Sequence, residues 1–264
     1  MCSLPVFLAA ELAGEGEAIT LDGPEGRHAA AVRRIRPGEQ LLLSDGHGEL
    51  ARCAVHAAGR DHLELEVLAR RTQPAPALRV TLAQALVKGE RGELAVELAT
   101  EAGVDAVLPW RAARCVARWD GGTRGAKALV RWRETARQAA KQARRGTVPK
   151  VSEPVPTGEL AERCRQAARA LVLHESAADP LPTVELPAAG EVLLVVGPEG
   201  GIEDPELDEL LAAGACPVHL GPAVLRASSA GMVALGAIGA LTSRWALSPS
   251  DDLWRDGPGK RYLE

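Results

Sequence analysis

The period of hydrophobic and polar positions changes at a proline-containing segment, residues 73–77, which is a predicted linker. Before it, short apolar stretches partly alternate with polar residues and are separated by turn signals such as Arg36-Pro37-Gly38. Alternation with a period of two predicts half-buried β-strands. The predicted strands are EAITL, EQLLLSD, LARCAVHAA and DHLELEVLAR. Residues 1–72 are therefore expected to form a small antiparallel β-barrel.

After the linker, buried strands alternate with amphipathic helices. LRVTLAQAL and VDAVLPW read as strands on either side of a helix, ERGELAVELATEAG, which ends at Gly103. A β-α-β unit of this kind favours a parallel sheet. Three further strands are predicted from RALVLHES, EVLLVVG and CPVHLG. We expect an α/β fold for this part of the chain.

Three more helices are predicted in the second half. ELAERCRQAA is one, and IEDPELDELLAAGA is another, with Asp204 as its N-cap and Pro205 as its first residue. A final helix rich in glycine and alanine follows, with Ser228 or Ser229 as its cap. Its apolar run is interrupted by glycines and falls short of the length of a membrane span. No membrane association is expected.

The segment KALVRWRETARQAAKQARR is the clearest predicted helix. At 100° per residue, Trp132 and several alanines fall on one side and seven Lys or Arg residues on the other. Trp132 is therefore predicted to lie in the core rather than to stack on a nucleic-acid base.

Charge is distributed unevenly along the chain. The formal net charge is −4, yet residues 111–145 hold eleven Lys or Arg and two acids. The segment RHAAAVRRIR, residues 27–36, adds four arginines and no acid. Concentrated basic patches suit a polyanionic partner such as nucleic acid. A solvated charged surface is the alternative interpretation.

Cysteine usage and the N-terminal sequence indicate the compartment. The five cysteines are scattered and form no C-x-x-C pair, which argues against disulfides and a structural zinc. MCSLPVFLAAELAGEGE has no basic stretch and turns acidic early, unlike a secretory signal. We expect a cytoplasmic protein without a metal site.

Three predicted strands end in segments that suit a ligand site: residues 171–176, 195–201 and 219–231, which read LVLHES, VVGPEGG and HLGPAVLRASSAG. In parallel α/β sheets, ligands bind outside the carboxyl ends of strands, so these three ends can share one site. Glycines let backbone groups approach a ligand closely. GPEGG does not match the dinucleotide fingerprint G-x-G-x-x-G, and the chain has no P-loop GKS or GKT triplet. An oxidoreductase is therefore a distant alternative.

GPEGG followed by LGPAVLR resembles the signature of the bacterial 16S ribosomal RNA uridine-N3 methyltransferases, a family of the SPOUT class. HAAAVRRIRPGEQLLLSDG, QALVKGERGELAVELATEAGVDAVLPWRAARCVA and KQARRGTVP resemble further family segments in the same order. The resemblance implies a PUA-like β-barrel over residues 1–72 and a SPOUT parallel-sheet methyltransferase domain with a trefoil knot over 78–246. A polar tail, 247–264, would follow. Members are typically homodimers.

The resemblance also implies a reaction and a set of residues for it. Uridine N3 in 16S ribosomal RNA of the 30S subunit would be methylated from S-adenosylmethionine. The implied cofactor-binding residues are Leu173, His174, Val196, Gly197, Glu199, Gly200, Gly201, Leu220, Gly221 and Leu225. The implied catalytic residues are Arg226, Ser228 and Glu199. The basic residues proposed to contact RNA are Arg33, Arg34, Arg36, Lys88, Arg91, Arg114, Arg137, Lys141, Arg144 and Arg145.

More than one role is open for each of several implied site residues. Arg226 would stabilise the anion that develops on uracil, or contact a phosphate or a second subunit. Glu199 would orient the cofactor or the base, or cap a backbone N–H group, and His174 would line the pocket or serve the structure alone. The family motif most often has glutamate where this chain has Ser228, and arginine where it has Ala223. Ser228 would hydrogen-bond a uracil carbonyl instead.

Two other functions stay open at this point. One is methylation of a different RNA, such as transfer RNA, by an enzyme of the same class. The other is a non-catalytic RNA-binding or ribosome-assembly protein, which the absence of any affinity for S-adenosylmethionine would favour.

Overall fold

The computed structural model describes residues 4–119 and 122–246. The predicted polar tail, residues 247–264, lies outside them. The strands in chain order are β1 Val6–Leu8, β2 Ala18–Leu21, β3 Gln40–Ser44, β4 Glu49–Ala58, β5 Leu63–Thr72, β6 Leu78–Ala85, β7 Ala106–Trp110, β8 Lys150–Val151, β9 Arg169–Leu173, β10 Gly190–Val196 and β11 Cys216–Val218. The α-helices are α1 Gly23–Arg27, α2 Arg91–Glu101, α3 Thr123–Gln142, α4 Thr157–Gln166, α5 Asp204–Ala212 and α6 Ala227–Leu241.

The described residues fall into two compact units, which we call the N-terminal and C-terminal units. The N-terminal unit holds residues up to Ala75 together with Ala140–Val148. The C-terminal unit holds Pro76–Ala139 and residues from Pro149 onward. The change of unit at Ala75 falls in the predicted linker. The assignment of 140–148 to the N-terminal unit differs from the division predicted along the chain, because local sequence carries no signal of contacts over such a distance.

The N-terminal unit is built on a five-stranded sheet in the order β1-β3-β4-β5-β2. Four of these strands pair antiparallel, whereas β1 runs parallel to β3, with Val6 opposite Leu42. The four predicted strands pair antiparallel as expected, and the unpredicted strand β1 makes the sheet mixed. The three residues of β1 are all buried, so their pattern has no alternation from which pairing could be predicted. Phe7, Leu41 and Leu63 lie in the core of this unit.

A short helical segment in the N-terminal unit follows β2. Helix α1 is succeeded by a π-helical turn, His28–Val32. The helix lies directly on β2, since a Cβ at Gly26 would stand 2.3 Å from the carbonyl oxygen of Leu21. The alternating-strand prediction left this segment unassigned.

The C-terminal unit is an α/β domain with a six-stranded parallel sheet, in the order β11-β9-β10-β6-β7-β8. The predicted parallel sheet is confirmed. The central strand β10 pairs with both β6 and β9, and its residues 192–195 are completely buried. Parallel strands covered on both faces are expected to read as continuous apolar runs, as VLLVV does. The two-residue strand β8 was too short to be predicted.

The helices of the C-terminal unit follow their patterns closely, with differences at their ends. Trp132 on α3 is 2% exposed, so its predicted place in the core is confirmed. Gly103 follows the end of α2 with a φ of 94°, as a C-terminal glycine should. Helix α5 has Glu203, not the predicted Asp204, as its N-cap, because Glu203 is still extended and Asp204 is already helical.

Within the described residues, no helix is both long and apolar enough to cross a membrane.

Candidate functional site

A cavity of about 410 Å³ opens at the carboxyl ends of β9, β10 and β11, where the three suspected segments were expected to meet. Its lining comes from the end of β9, the loop after β10, the segment between β11 and α6, and Arg91 at the start of α2. The backbone N–H of His174 donates to the carbonyl oxygen of Val218 at 3.0 Å, which ties two of these segments together. The parallel sheet therefore brings together residues far apart in sequence.

The loop after β10 needs its glycines for close packing and for a turn. A Cβ at Gly197 would stand 2.7 Å from Cγ1 of Ile202, which leaves no room for a side chain. Gly201 has a φ of 77°, and its N–H donates to the carbonyl oxygen of Pro198 at 3.0 Å. Only glycine adopts this backbone region without strain. The glycines of the loop thus leave main-chain atoms accessible to the cavity beside the side chain of Glu199.

An ion pair stands at the rim of the cavity. Nη1 of Arg91 lies 3.6 Å from Oε1 of Glu199, with side chains 53% and 33% exposed. Both residues line the cavity. Arg91 was predicted to contact RNA, and its guanidinium lies beside the carboxylate of Glu199 in the GPEGG loop. At this exposure the pair contributes little to stability. It places one charge of each sign at the cavity.

The segment between β11 and α6 forms the opposite wall. Gly221 has a φ of 114°, and Arg226 is the N-cap of α6. The prediction that Ser228 or Ser229 caps this helix is wrong. The hydroxyl of Ser229 donates to the carbonyl oxygen of Arg226 at 3.2 Å rather than accepting from a helix N–H. Ser228 is buried in the first turn of α6 and lines the cavity.

Two histidines, His174 and His219, line the cavity, and Nδ1 of each ring accepts a hydrogen bond from a backbone N–H group. The backbone N–H of Gly221 donates to Nδ1 of His219 at 3.1 Å. Nδ1 of His174 accepts from the backbone N–H of Ser176 at 3.3 Å and lies 2.8 Å from its hydroxyl oxygen. A backbone amide only donates, so in the neutral rings Nε2 carries the proton. Each neutral imidazole therefore keeps Nε2–H as its hydrogen-bond donor.

Nine of the ten predicted cofactor-binding residues line this one cavity. The exception is Gly200, whose carbonyl oxygen accepts a hydrogen bond from Nη1 of Arg114 at 3.1 Å. The same arginine forms an ion pair with Glu203 at 3.5 Å. Arg114 was predicted to contact RNA, and it also holds the GPEGG loop in place. The three predicted catalytic residues, Arg226, Ser228 and Glu199, line the cavity as well.

Eight of the ten predicted RNA-contacting residues are exposed, and two are not. The exposed residues are Arg33, Arg34 and Arg36, Lys88, Arg91 and Arg114, and Arg137 and Arg144, whereas Arg145 is half-buried. Lys141 is buried, and its Nζ lies 2.8 Å from both carboxylate oxygens of Glu25. The prediction of a phosphate contact at Lys141 is therefore wrong in this structure, because its charge is already neutralised inside the N-terminal unit. Its place on the polar side of α3 misled the periodicity argument.

Sequence reasoning missed several residues of the lining. His219 and Glu175 directly adjoin predicted residues, and their place at strand ends was a usable signal. Ile202 was missed because an apolar residue after a glycine loop carries no specific signal. Within residues 4–119 and 122–246, no group of three His, Cys, Asp or Glu side chains is arranged to hold a metal ion.

Comparisons with known protein families identify two matching regions. A family model described as an RNA methyltransferase domain matches residues 73–239. A second, described as an RNA methyltransferase PUA domain, matches residues 21–68.

Relatives of known name resemble the chain over almost its whole length. It is 53% identical over 250 residues to the ribosomal RNA small subunit methyltransferase E of Mycobacterium bovis, covering 93% of this chain and 95% of the relative. It is 29% identical to the protein of the same name from Bacillus subtilis, covering 85% and 90%. A crystal structure of a ribosomal RNA small subunit methyltransferase E from Neisseria gonorrhoeae, bound to S-adenosyl methionine, superposes with a TM-score of 0.81. That structure is 29% identical in sequence, and the match covers 90% of this chain and 98% of the other.

Proposed function

The chain belongs to the ribosomal RNA small subunit methyltransferase E family, and from this premise we propose that it methylates N3 of a uridine in 16S ribosomal RNA with S-adenosylmethionine as methyl donor. The observation that carries the proposal is the cavity itself. Three separate segments converge on it at the carboxyl ends of parallel strands, and two of them, GPEGG and LGPAVLR, resemble the family signature.

The residues of the cavity fit S-adenosylmethionine. Its volume, 410 Å³, lies within the range of about 300–1,000 Å³ that small-molecule sites occupy. Apolar walls from Leu173, Val196, Leu220 and Leu225 suit the adenine ring and the ribose. Arg91 and Glu199 offer one charge of each sign for the carboxylate and the ammonium group of the methionine portion.

S-adenosylmethionine bound here would supply an electrophilic methyl group: N3 would gain the methyl, S-adenosylhomocysteine would leave as the carbon–sulfur bond breaks, and the N3 proton would pass to solvent water. The chain's own residues hold the two reactants in line, which removes much of the entropic barrier. Arg226 stabilises the negative charge that develops on the uracil ring. The Nε2–H groups of His174 and His219 donate hydrogen bonds within the site, and Ser228 bonds the base. Glu199 is held by Arg91 for orientation rather than for proton transfer.

The basic residues account for RNA binding in this proposal. Lys and Arg side chains that neutralise phosphates supply most of the affinity for a nucleic acid. The target uridine must leave its stack, or be unstacked already, before N3 can reach the cavity. Arg33, Arg34 and Arg36 serve the N-terminal unit in this role, and Lys88, Arg114 and Arg137 the C-terminal unit, all with exposed side chains.

We further propose that the chain acts in the cytoplasm as a homodimer and that its C-terminal unit contains a trefoil knot. The resemblance to SPOUT proteins supports both features of the architecture. The apolar side chains of Val233, Leu241 and Trp245, exposed in or just after α6, give a second copy a surface to cover. Sedimentation of the purified protein at micromolar concentration tests the dimer, and a monomer would contradict it.

Methyl transfer from labelled S-adenosylmethionine to small ribosomal subunits that lack the modification tests the reaction. Digestion of the RNA and nucleoside analysis should give 3-methyluridine at a single site. Binding of the cofactor without product would direct the search to another RNA, such as transfer RNA. Neither binding nor product would favour a non-catalytic RNA-binding protein.

A further inference from the structure

Arg114 does not line the cavity, yet its side chain touches the GPEGG loop at several atoms. Its Nη1 donates to the carbonyl oxygen of Gly200 at 3.1 Å, and its Nε lies 3.5 Å from Oε1 of Glu203. A Cβ at Gly200 would stand 3.3 Å from Cβ of Arg114, and a Cβ at Gly201 would stand 3.7 Å from Nη1. The side chain of Arg114 therefore lies along both glycines.

The GPEGG loop has few other attachments. Within residues 4–119 and 122–246, hydrogen bonds and ion pairs connect 198–201 to other segments at two points, the pair of Arg91 with Glu199 and the bond from Arg114 to Gly200. The other hydrogen bond of the loop is internal. Glycines have wide backbone freedom and no side chain to pack. The bond from Arg114 is thus a principal restraint on the glycine end of the loop.

The segment that carries Arg114 is itself held in place. The backbone N–H of Ala113 donates to Oε1 of Glu206 at 3.0 Å, and the hydroxyl of Thr157 donates to the same oxygen at 2.6 Å. The indole N–H of the buried Trp110 donates in turn to that hydroxyl at 3.1 Å. Glu206 belongs to α5, the helix that follows the loop. Arg114 therefore reaches the loop from a segment connected to the core and to α5.

We propose that Arg114 is a positioning residue for S-adenosylmethionine, which acts through Gly200 by holding the GPEGG loop in the conformation that binds the cofactor. A loop that is free to leave this conformation binds more weakly, because the apparent affinity falls with the fraction of competent molecules. This role is separate from any phosphate contact of the same guanidinium. The inference rests on the proposed function and adds a determinant of cofactor affinity outside the cavity.

The sign of the effect distinguishes positioning from simple electrostatics. S-adenosylmethionine carries a net positive charge near neutral pH, since its sulfonium and ammonium groups outweigh its single carboxylate. Removal of a nearby cation should therefore strengthen its binding if charge alone matters. Loss of the restraint on the loop should weaken its binding instead.

Calorimetric titration of S-adenosylmethionine into the wild type, Arg114→Met and Arg114→Lys tests the inference. Arg114→Met should raise the Kd about tenfold, as expected for the loss of one hydrogen bond from a charged donor. Arg114→Lys should fall between the two, because lysine keeps the charge but lacks the planar fork that reaches the carbonyl and the carboxylate together. The kcat at saturating cofactor should stay within twofold of wild type, and the melting temperature of the free protein within about 2 °C.

Arg111→Met is the matched control. Arg111 is an exposed residue of the same segment and does not line the cavity. In the part of the chain that the structure describes, its backbone N–H donates to the carbonyl oxygen of Val155, and no hydrogen bond of its side chain is formed. The substitution removes the same charge and should leave the Kd for S-adenosylmethionine unchanged.

Three results would overturn the inference: unchanged or tighter cofactor binding in Arg114→Met, equal weakening in Arg111→Met, or a lower kcat at an unchanged Kd. Weaker RNA binding with normal cofactor binding would make Arg114 a phosphate ligand alone and would overturn it as well. A wild type that binds no S-adenosylmethionine would overturn the proposed function along with the inference, whereas a wild type that binds it as tightly as Arg114→Met does overturns the inference alone.

Discussion

At the scale of single residues, Arg226 carries the clearest chemical expectation. It lies on the cavity wall as the N-cap of α6, and its guanidinium is exposed toward solvent or ligand. Removal of one group that stabilises developing negative charge costs about 10²–10³ in kcat. Arg226→Ala should therefore lower kcat by that factor and leave the affinity for S-adenosylmethionine within a few-fold, as measured by calorimetry.

The control for this prediction is Arg165→Ala. Arg165 is exposed on α4 and pairs with Glu162 at 2.7 Å, outside the cavity lining. Its removal should not change kcat. An Arg226→Ala enzyme that loses RNA affinity at full kcat would instead assign this arginine to a phosphate contact.

The cysteines give a second prediction at this scale. Burial raises the pKa of the Cys53 thiol to about 12 and the pKa values of the Cys115 and Cys164 thiols to about 11. The folded state thus keeps these protons where the unfolded chain, with a thiol pKa near 9, releases them. Stability should be fully present below pH 9 and should fall as the pH rises from 9 toward 11–12.

Thiol titration checks this assignment in a Cys2→Ser background. At pH 8 the half-buried Cys216 should react first with a disulfide reagent, and the three buried thiols only as fast as the protein unfolds. Four equally fast thiols in the native protein would contradict the burial.

Single residues also show the limit of prediction from sequence. Most of the cavity lining was predictable, because motif residues sit at strand ends and parallel strands end together. The pairing of Arg91 with Glu199 was not, since a basic residue before a helix reads equally well as a phosphate ligand. The burial of Lys141 was not predictable either, because its half-buried partner Glu25 lies in a remote part of the sequence.

At the scale of elements, the end of α3 is fixed by that pair. The side chains of Lys141 and Glu25 are 7% and 17% exposed, and Nζ of Lys141 also stands 5.7 Å from the centre of the Phe7 ring. Removal of one partner leaves the other charge buried and unpaired. Lys141→Met should lower the free energy of unfolding by about 2–4 kcal/mol, measured by urea denaturation.

A second substitution separates the charge effect from packing. Glu25→Gln removes the stranded charge and keeps an acceptor for the backbone N–H of Leu8, so Glu25→Gln/Lys141→Met should recover most of the loss. Arg137→Met, at an exposed position of the same helix, should change stability by less than about 0.5 kcal/mol. Equal effects at residues 137 and 141 would contradict the burial of the pair.

Elements were predictable where their pattern is long. The stripe of α3 and the unbroken apolar run of β10 determine their type because many residues agree. The three-residue strand β1 and the π-helical turn after α1 offer too few positions for any period to emerge. The start of α6 was misplaced because a serine can donate to a carbonyl as readily as it can cap, and local sequence does not distinguish the two.

At the scale of the whole molecule, the positive charge needed to bind RNA is concentrated in part of the chain. A net charge of −4 is compatible with RNA binding because the basic residues are concentrated, with eleven of them within residues 111–145. Most of the basic residues on α3 are exposed, whereas Trp132 and the alanines on the other side of the helix are buried in the core. Apart from Lys141, the sequence predicted this division correctly, because the division depends on the composition of helix faces rather than on distant contacts.

Salt dependence of RNA binding tests the electrostatic part of the proposal. Each phosphate contact releases counterions and steepens the fall of log affinity with log salt by somewhat less than one unit. The triple variant Arg33→Gln/Arg34→Gln/Arg36→Gln should flatten that slope by about 2–3 if all three arginines contact phosphates, and it should keep kcat at saturating RNA. A second triple variant, Arg60→Gln/Arg79→Gln/Arg165→Gln, changes the net charge equally at other exposed positions and should leave the slope nearly unchanged. Equal flattening by both would mean that overall charge, rather than a basic patch on the N-terminal unit, attracts the RNA.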